Sequence, residues 1–355
     1  MNFLNPFQQP AFGMDISDRS IKLAQLKREN NEINLIGYNR TEIPTGIISH
    51  GEISKEDELI LIIKKSLENV RGKTIRTKSC IVSLPETEAF LRIAQLPIMT
   101  KEKLKDAIKW EAEANIPLPL SDIYLDWQII NKQPTYQNVL LGALPKKLVD
   151  SYLRVFKNSG LNPLIFEIES IATARALIKN NFNETPVLIV DLGSTRTNFI
   201  IFNQNSVIFT ASLQLGNIIL IEAIAKKMDI NNEDAKNLKI IVGLNPKQKE
   251  AVFTAMEPHL NEIINKINEC IDFYQERLST NNHDKQISNI ILCGGGANLI
   301  GLTDLITAKT QIETAIGNPW TNILTPDFKK IPELDYNESI TYTTALGLAL
   351  KGVNL

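Results

Sequence analysis

The stretch Asp191-Leu-Gly-Ser-Thr-Arg-Thr197 joins two short apolar runs, at residues 187–190 and 198–202, through a polar turn. Two such runs around a short turn predict a β-hairpin. Gly193 lets the backbone approach a ligand closely, and successive N–H groups in such a turn form a concavity that binds anions. Asp191 ends a strand predicted to be buried, where a carboxylate needs a cation or hydrogen-bond donors. The motif alone is also consistent with an ordinary turn whose aspartate caps its own backbone.

The same pattern occurs near the N-terminus, in Phe12-Gly-Met-Asp-Ile-Ser-Asp-Arg-Ser20. When the two stretches are aligned without gaps, Asp15 corresponds to Asp191 and Ser17 corresponds to Gly193. Another apolar run follows each hairpin, so the pattern predicts a three-stranded unit in both halves of the chain. A duplication at this long spacing indicates two similar lobes. Two facing hairpins, each with an acid and backbone donors, would clamp one phosphate chain between them.

A third motif is the glycine run Gly294-Gly-Gly-Ala-Asn298. It lies between a predicted strand at residues 287–293 and a stretch with helical spacing at residues 299–305. Glycines in this position permit flat packing against a ring system or a close approach to phosphate. Many strand-to-helix loops are rich in glycine for steric reasons alone, so this motif carries weight only beside the two hairpins.

Together these residues resemble the actin-like ATPase superfamily, which includes actin, the heat-shock-70 ATPase domain, sugar kinases and FtsA. The superfamily's two phosphate hairpins correspond to residues 13–22 and 191–197, and its adenosine motif corresponds to residues 294–301. Within the superfamily, residues 96–119, with Leu125-Asp-Trp127 after them, are similar to the inserted subdomain of the PilM family of type IV pilus assembly proteins. The resemblance covers nearly the whole chain.

The resemblance implies an α/β fold: an actin-like, two-lobed ATPase fold with duplicated ribonuclease-H-like lobes and an inserted FtsA-type 1C subdomain. It also implies a division of the chain into four parts. These are a flexible N-terminal arm at residues 1–10, a first lobe (1A) at residues 11–85, 164–185 and 340–355, the inserted subdomain (1C) at residues 86–163, and a second lobe (2A/2B) at residues 186–339.

The resemblance further implies that ATP and Mg²⁺ bind between the lobes. Asp15 and Asp191 are expected to hold the metal, mostly through water, because Mg²⁺ dehydrates reluctantly. The nucleotide-binding residues are expected in the two hairpins, the glycine motif and one helix. They are Asp15, Ser17, Asp18, Arg19, Lys22, Asp191, Gly193, Ser194, Thr195, Lys239, Gly294, Gly295, Gly296 and Asn298.

The catalytic residue is not assigned by the sequence. Glu167 and Glu169 lie where a water-orienting group is expected, and either is equally consistent with a solvated acid at a helix start. Ser17 replaces the glycine that is frequent in the first hairpin, and Lys236 replaces the acid usual near Lys239. These departures predict a nucleotide-binding protein with weak or absent ATPase activity.

Composition limits the other functions. The chain has 355 residues and a net charge of −2, which argues against a nucleic-acid partner. Its three cysteines have no CxxC spacing, which indicates a reducing compartment. No apolar run reaches the ~18 residues that a membrane span needs, and the first ten residues lack the features of a signal peptide. We therefore expect a cytoplasmic protein without direct membrane insertion.

The resemblance implies a scaffold recruited to the inner face of the cytoplasmic membrane. The expected partners are the N-terminal cytoplasmic tail of an inner-membrane PilN-like protein, bound in a groove between the first lobe and the inserted subdomain, and other pilus assembly proteins. Trp110, Tyr124 and Trp127 could line that groove, although aromatic residues at such positions are more often core. One alternative is a small-molecule kinase, for which no catalytic base is apparent. The other is an FtsA-like, membrane-tethered filament. Such a filament normally needs a C-terminal amphipathic helix, whereas this sequence stops at residues 352–355.

Overall fold

The structure is a computed structural model that describes residues 11–30, 32–179, 185–278, 286–325 and 331–355. The arm predicted at residues 1–10 lies outside the described residues. The chain divides into two compact units, Met1–Asn180 with Pro319–Leu355, and Asn181–Asn318.

The strands are β1 (Phe12–Ile16), β2 (Ser20–Glu29), β3 (Glu32–Glu42), β4 (Ile48–Ser49), β5 (Glu52–Ile53), β6 (Arg71–Gly72), β7 (Ser79–Leu84), β8 (Phe90–Pro97), β9 (Ile123–Lys132), β10 (Tyr136–Pro145), β11 (Asn162–Ile168), β12 (Val187–Leu192), β13 (Thr197–Asn203), β14 (Ser206–Leu213), β15 (Asn289–Cys293) and β16 (Thr314–Ile316). The α-helices are α1 (Glu56–Glu68), α2 (Lys101–Asn115), α3 (Lys146–Asn158), α4 (Glu169–Leu177), α5 (Asn217–Met228), α6 (Asn232–Val242), α7 (Pro246–Phe273), α8 (Leu302–Thr310), α9 (Tyr336–Ser339) and α10 (Thr343–Val353).

The first unit is built on a six-stranded sheet with the order β11-β7-β1-β2-β3-β6. β1 is antiparallel to β2 and parallel to β7, and β7 is parallel to β11. Side chains alternate along the chain at β1, so that Phe12 and Met14 pack with α1 and α3, while Ala11, the residue before the strand, packs with Ala172 of α4 and Leu348 of α10. Helices therefore cover both faces of this sheet.

The second unit repeats this arrangement. Its five-stranded sheet has the order β14-β13-β12-β15-β16, with an antiparallel meander of β12, β13 and β14 followed by the parallel strands β15 and β16. The corresponding strands of the first unit run β3-β2-β1-β7-β11, with the same directions. The duplication predicted from the two hairpin sequences is thus present in the strand topology.

The inserted segment after β7 forms a separate three-stranded antiparallel sheet with the order β8-β10-β9. One face of this sheet packs against α2, through a cluster that includes Leu104, Ile108, Val139 and Leu141. Trp127 joins the edge of that cluster, so it belongs to the core of the insert.

Helix α3, which the sequence analysis groups with the insert, packs on the six-stranded sheet. Its buried residues Leu148, Tyr152 and Phe156 share one apolar cluster with residues of β1 and β7. Parallel neighbours such as β7 and β11 need a crossover connection, usually a helix. α3 supplies that connection, and the segment between β7 and α3 is an addition to it.

Helix α7 is longer than its sequence pattern predicts. The apolar stripe predicts a start at residue 259, whereas the helical segment begins at Pro246, is interrupted by a kink at Lys249 and continues through Pro258. Asn245 caps it by accepting a hydrogen bond from the Lys247 N–H. In the part of the chain that the structure describes, no helix combines the length and apolar character that crossing a bilayer requires.

Candidate functional site

The first hairpin holds Asp15 at the end of β1, where the carboxylate is 5% exposed. Lys22 Nζ, directly opposite on β2, donates to Asp15 Oδ2 at 2.8 Å. Ser83 Oγ on the neighbouring strand β7 donates to Asp15 Oδ1 at 2.9 Å and accepts from the Ile16 N–H at 3.1 Å. Both carboxylate oxygens are therefore held by the protein, and the negative charge is matched by one lysine.

The turn of this hairpin is closed by the Ser17 N–H, which donates to the Ser20 carbonyl at 3.0 Å. The side chains of Asp18 and Arg19 point to loops of the same unit. Asp18 Oδ1 accepts from the Gly51 N–H at 2.9 Å, and the Arg19 guanidinium donates to the Thr45 hydroxyl. In this structure the two side chains thus hold the turn in place, which leaves Lys22 and the backbone as the groups suited to an anion.

The second hairpin has an equally tight turn. The Gly193 N–H donates to the Arg196 carbonyl at 2.9 Å. The first N–H groups of α5, from Asn217 and Ile218, donate to the carbonyls of Gly193 and Ser194 at 2.9 and 3.0 Å. The turn is fixed from inside and from the start of the following helix, so its shape does not depend on a ligand.

The glycine motif lies directly against the second hairpin. Asp191 pairs with Cys293 across the parallel strands β12 and β15, so the motif begins beside the aspartate. Gly294 has φ of +80°, and a Cβ placed on it would lie 2.2 Å from Asp191 Oδ1. The Gly296 N–H donates to the Leu192 carbonyl at 2.9 Å. Because glycine has no Cβ, it leaves space for the Asp191 carboxylate beside the motif. A metal–phosphate group would require a carboxylate with such space around it.

Lys239 on α6 is 5% exposed, and burial lowers the pKa of its ammonium group to about 8. Among the described residues none forms an ion pair or hydrogen bond with that ammonium. The segment after α6 is joined to the segment after the glycine motif, since the Leu244 N–H donates to the Ile300 carbonyl at 2.9 Å. A buried cation of this kind is suited to an anionic or polar ligand in the second unit.

Glu167 and Glu169 have different surroundings. Glu167 is 7% exposed, and its two oxygens accept from Arg175 at 2.6 and 2.7 Å and from Lys351 at 2.7 Å. Burial opposes its ionisation, but the hydrogen bonds and charge of Arg175, helped by Lys351, outweigh burial and hold the pKa of Glu167 below its usual value. Its role is to join β11, α4 and α10.

Glu169 is the first residue of α4 and is half-buried. The preceding residue, Ile168, pairs with Leu84 at the end of β7, and Met14 of β1 pairs with Val82 of β7. The carboxyl ends of these parallel strands therefore share one edge of the sheet, the edge from which the first hairpin turn projects. Of the two acids, Glu169 has the position suited to orienting a water molecule.

Each unit thus gathers its own share of the predicted residues. The first unit brings Asp15, Lys22 and Glu169 to one sheet edge, and the second brings Asp191, Gly193 and the glycine motif together. Ser83 belongs to no recognisable motif, although a serine in the apolar run Ser79-Cys-Ile-Val-Ser-Leu84 is a signal for a buried polar role.

Two sheets of the same topology, each carrying a tight acidic hairpin, define a protein with the actin-like ATPase fold. The chain is similar to the cell division protein FtsA of Streptococcus pneumoniae serotype 2 (strain D39), with 21% identity over 387 residues that cover 96% of this chain and 83% of that protein. It is similar to the solved PilM–PilN type IV pilus biogenesis complex, with a TM-score of 0.81 and 24% identity over 97% of this chain and 99% of that chain. MreB 5 of Spiroplasma citri bound to AMPPNP gives a TM-score of 0.53 and 12% identity over 96% and 95% of the two chains.

The family model of the type IV pilus assembly protein PilM matches residues 13–353. The chain therefore belongs to the PilM family of type IV pilus assembly proteins. The resemblance indicated by the two hairpins, the glycine motif and residues 96–119 is confirmed. The family match and the similar PilM–PilN structure favour pilus assembly over the kinase and filament alternatives.

Proposed function

We propose that this protein is a scaffold of type IV pilus assembly that binds ATP with Mg²⁺ and holds the cytoplasmic N-terminal tail of a PilN-like inner-membrane protein. Membership of the PilM family supports the pilus role. The similar solved structures include a PilM–PilN complex and MreB 5 bound to AMPPNP, which support the partner and the nucleotide. Binding to the tail would recruit the protein to the inner face of the cytoplasmic membrane.

The nucleotide proposal is carried by the contact between Gly294 and Asp191. The glycine keeps open the space beside the carboxylate, as a Cβ there would lie 2.2 Å from Asp191 Oδ1. Mg²⁺ would supply charge neutralisation for the phosphates when bound. Asp191, with Asp15 in the first unit, would accept hydrogen bonds from the water shell of the ion. The backbone N–H groups of Ser194 and Thr195 would donate to phosphate oxygens, and Lys22 would add charge.

The adenosine end would bind at the glycine motif and Lys239. Gly294, Gly295 and Gly296 would offer a flat backbone surface, and Asn298 would add a polar group. The Lys239 ammonium would donate to the sugar or the phosphates. Glu169 would orient the attacking water. Glu167 would not assist it, because its carboxylate is bound by Arg175 and Lys351, and hydrolysis is therefore expected to be slow.

The partner peptide is proposed to bind the face of the β8-β10-β9 sheet that α2 leaves uncovered. Val139 and Leu141 of β10 pack toward α2, so Leu140 and Gly142 face the opposite side. A Cβ on Gly142 would lie 3.9 Å from Leu91 Cδ2 and 4.0 Å from Ile168 Cδ1. This face therefore lies between the insert and the first-unit sheet. Its β8 and β10 part is aliphatic, and Asp126 and Gln128 of β9, which pair with Gly142 and Leu140, add polar groups. An extended peptide with alternate apolar residues would fit it.

Of the three aromatic residues named for the groove, Tyr124 shares the proposed face, because it pairs with Leu144 and alternates with Leu125 and Trp127 along β9. Trp127 packs in the core of the insert. Trp110 is 71% exposed on α2, whose buried residues Leu104, Ile108 and Ala112 face the sheet. The Tyr124 hydroxyl donates to Asp150 Oδ1 on α3 at 3.0 Å.

Isothermal titration calorimetry tests the nucleotide site. The wild type is expected to bind ATP in the presence of Mg²⁺, and Asp191→Ala is expected to bind at least tenfold more weakly. Asp272→Ala, which changes an exposed aspartate on α7, is the matched control and should bind as the wild type does. Equal binding by the wild type and Asp191→Ala would remove Asp191 from the site, and no binding by the wild type would reject the nucleotide proposal.

Fluorescence anisotropy with a labelled PilN-like tail peptide tests the groove. Gly142→Leu is expected to fill the groove and abolish peptide binding without loss of thermal stability. Trp110→Ala, on the other side of the insert, should leave the affinity unchanged. The opposite pattern would place the peptide on α2, and the absence of binding by the wild type would reject the partner.

A further inference from the structure

A short hairpin outside the predicted site lies against the first phosphate hairpin. It consists of β4 and β5, and its two turn residues, His50 and Gly51, have φ of +53° and +85°. Positive φ at both positions is characteristic of a type I′ hairpin turn, in which glycine is favoured. The turn therefore presents the Gly51 peptide groups in a fixed orientation.

Gly51 contacts three elements that are distant in sequence. Its N–H donates to Asp18 Oδ1 of the first hairpin at 2.9 Å. Its carbonyl accepts from the Tyr152 hydroxyl at 2.9 Å. A Cβ on Gly51 would lie 2.5 Å from Pro85 Cγ, so the residue is packed against the place where the chain leaves β7 for the insert.

Tyr152 has the properties of a residue that fixes its hydrogen-bond partner. It is 1% exposed, and its ring packs in the core with Phe156 and other residues under the six-stranded sheet. The Gly51 carbonyl that accepts from this hydroxyl belongs to the peptide between residues 51 and 52, whereas the Gly51 N–H belongs to the peptide between residues 50 and 51. The two peptides meet at the Gly51 Cα within the tight turn, so a hydrogen bond that fixes one of them restrains the orientation of the other. The Gly51 N–H donates to a carboxylate, which makes that hydrogen bond one of the stronger kind.

We propose that Tyr152 is a positioning residue for the first phosphate hairpin. Through the Gly51 carbonyl it orients the Gly51 N–H toward Asp18, and Asp18 in turn holds the turn of residues 17–20 in the conformation that binds phosphate. The inference rests on the proposed nucleotide function. The relay is the pair of hydrogen bonds that runs from Tyr152 through Gly51 to Asp18. Since α3 follows the insert directly, the relay also connects the partner-binding part of the chain to the phosphate hairpin.

Tyr152→Phe tests the relay because it removes only the hydroxyl and keeps the ring in the core. Tyr124→Phe is the matched control, since its hydroxyl also bonds to α3, at Asp150, but at the surface. Hydrogen exchange is measured in the nucleotide-free protein for the peptide that contains residues 16–22. Tyr152→Phe is expected to raise the exchange rate of that peptide about fivefold, the change that loss of a typical hydrogen bond causes. Equal exchange in the two variants would overturn the proposal.

A double-mutant cycle on ATP affinity gives the second test. Asp18→Ala and Tyr152→Phe should each weaken binding, and their combination should be no weaker than Asp18→Ala alone. Asp18→Asn, which keeps an acceptor oxygen, should restore the response to Tyr152→Phe. Additive effects of Asp18→Ala and Tyr152→Phe would overturn the relay. A wild type that does not bind ATP would reject the proposed function instead, while the exchange experiment would still decide the role of Tyr152.

Discussion

Lys239 is a residue at which burial and charge oppose each other. Its pKa of about 8 lies below that of a free lysine because the surrounding protein disfavours the ammonium form. A residue that is costly to bury and has no ionic partner among the described side chains is typical of a binding site. The sequence alone gives no signal of this burial, since Lys239 lies on an ordinary amphipathic helix.

Replacement of Lys239 by methionine is expected to stabilise the fold and weaken ATP binding. Removal of the buried charge should raise the free energy of unfolding at pH 7 by about 1–3 kcal/mol. Urea denaturation measures the first effect and calorimetry the second. Lys236→Met, at an exposed position three residues earlier, should change neither. A destabilised Lys239→Met protein would contradict the prediction.

The same residue predicts a pH dependence. Between pH 8 and roughly 10.4, the unfolded chain keeps the Lys239 proton and the folded protein has lost it. The unfolded state then binds more protons, so the contribution of this residue to stability rises with pH across that range. The stability difference between Lys239→Met and the wild type should accordingly shrink from pH 8 to pH 10.4 in urea denaturation series, and a constant difference would refute this assignment.

At the scale of elements, Glu167 joins two helices to the edge strand of the first sheet. Arg175 of α4 binds Glu167 and also donates to the Gly347 carbonyl of α10 at 3.0 Å. Lys351 of α10 binds the same carboxylate. One buried acid of β11 thus connects α4 and α10, and loss of its charge would leave two cations without their partner.

Glu167→Gln is expected to lower the free energy of unfolding by about 2–3 kcal/mol, less than for a fully enclosed pair because both cations are partly exposed. Since the pKa of Glu167 is lowered in the folded state, this stabilisation is present above the unfolded pKa and is lost as the pH falls through the folded value. The difference between variant and wild type should shrink on acidification. Glu58→Gln, in an exposed pair with Lys55, is the control and should change stability by less than about 0.5 kcal/mol.

The elements that sequence patterns predict well are those specified locally. Both hairpins were predicted because an apolar run, a polar turn and a second apolar run are adjacent in the chain. The sequence places α3 with the insert only by its position in the chain, since an amphipathic stripe does not tell which sheet a helix covers. The contacts of Ser83 with Asp15 and of Tyr152 with Gly51 span 68 and 101 residues. No local pattern encodes such pairs.

At the scale of the whole molecule, family membership and the repeated topology support the proposed binding of nucleotide. A ligand that binds only the folded protein stabilises it by mass action, by about 2.7 kcal/mol at a concentration one hundred times its Kd. ATP with Mg²⁺ should therefore raise the melting temperature, as measured by scanning calorimetry. Asp191→Ala should show a smaller rise at the same concentration, as should the wild type when ATP is added with a metal chelator. An equal rise without Mg²⁺ would contradict the proposed role of the aspartates.

Because α3 completes the β7–α3–β11 crossover of the first sheet, residues 86–145 are an insertion into a unit whose fold is complete without them. Such an insertion can be exchanged during evolution without disturbing the strands on either side of it. Chimaeras that carry this segment from another pilus system should therefore fold, and they should acquire the donor's choice of membrane protein.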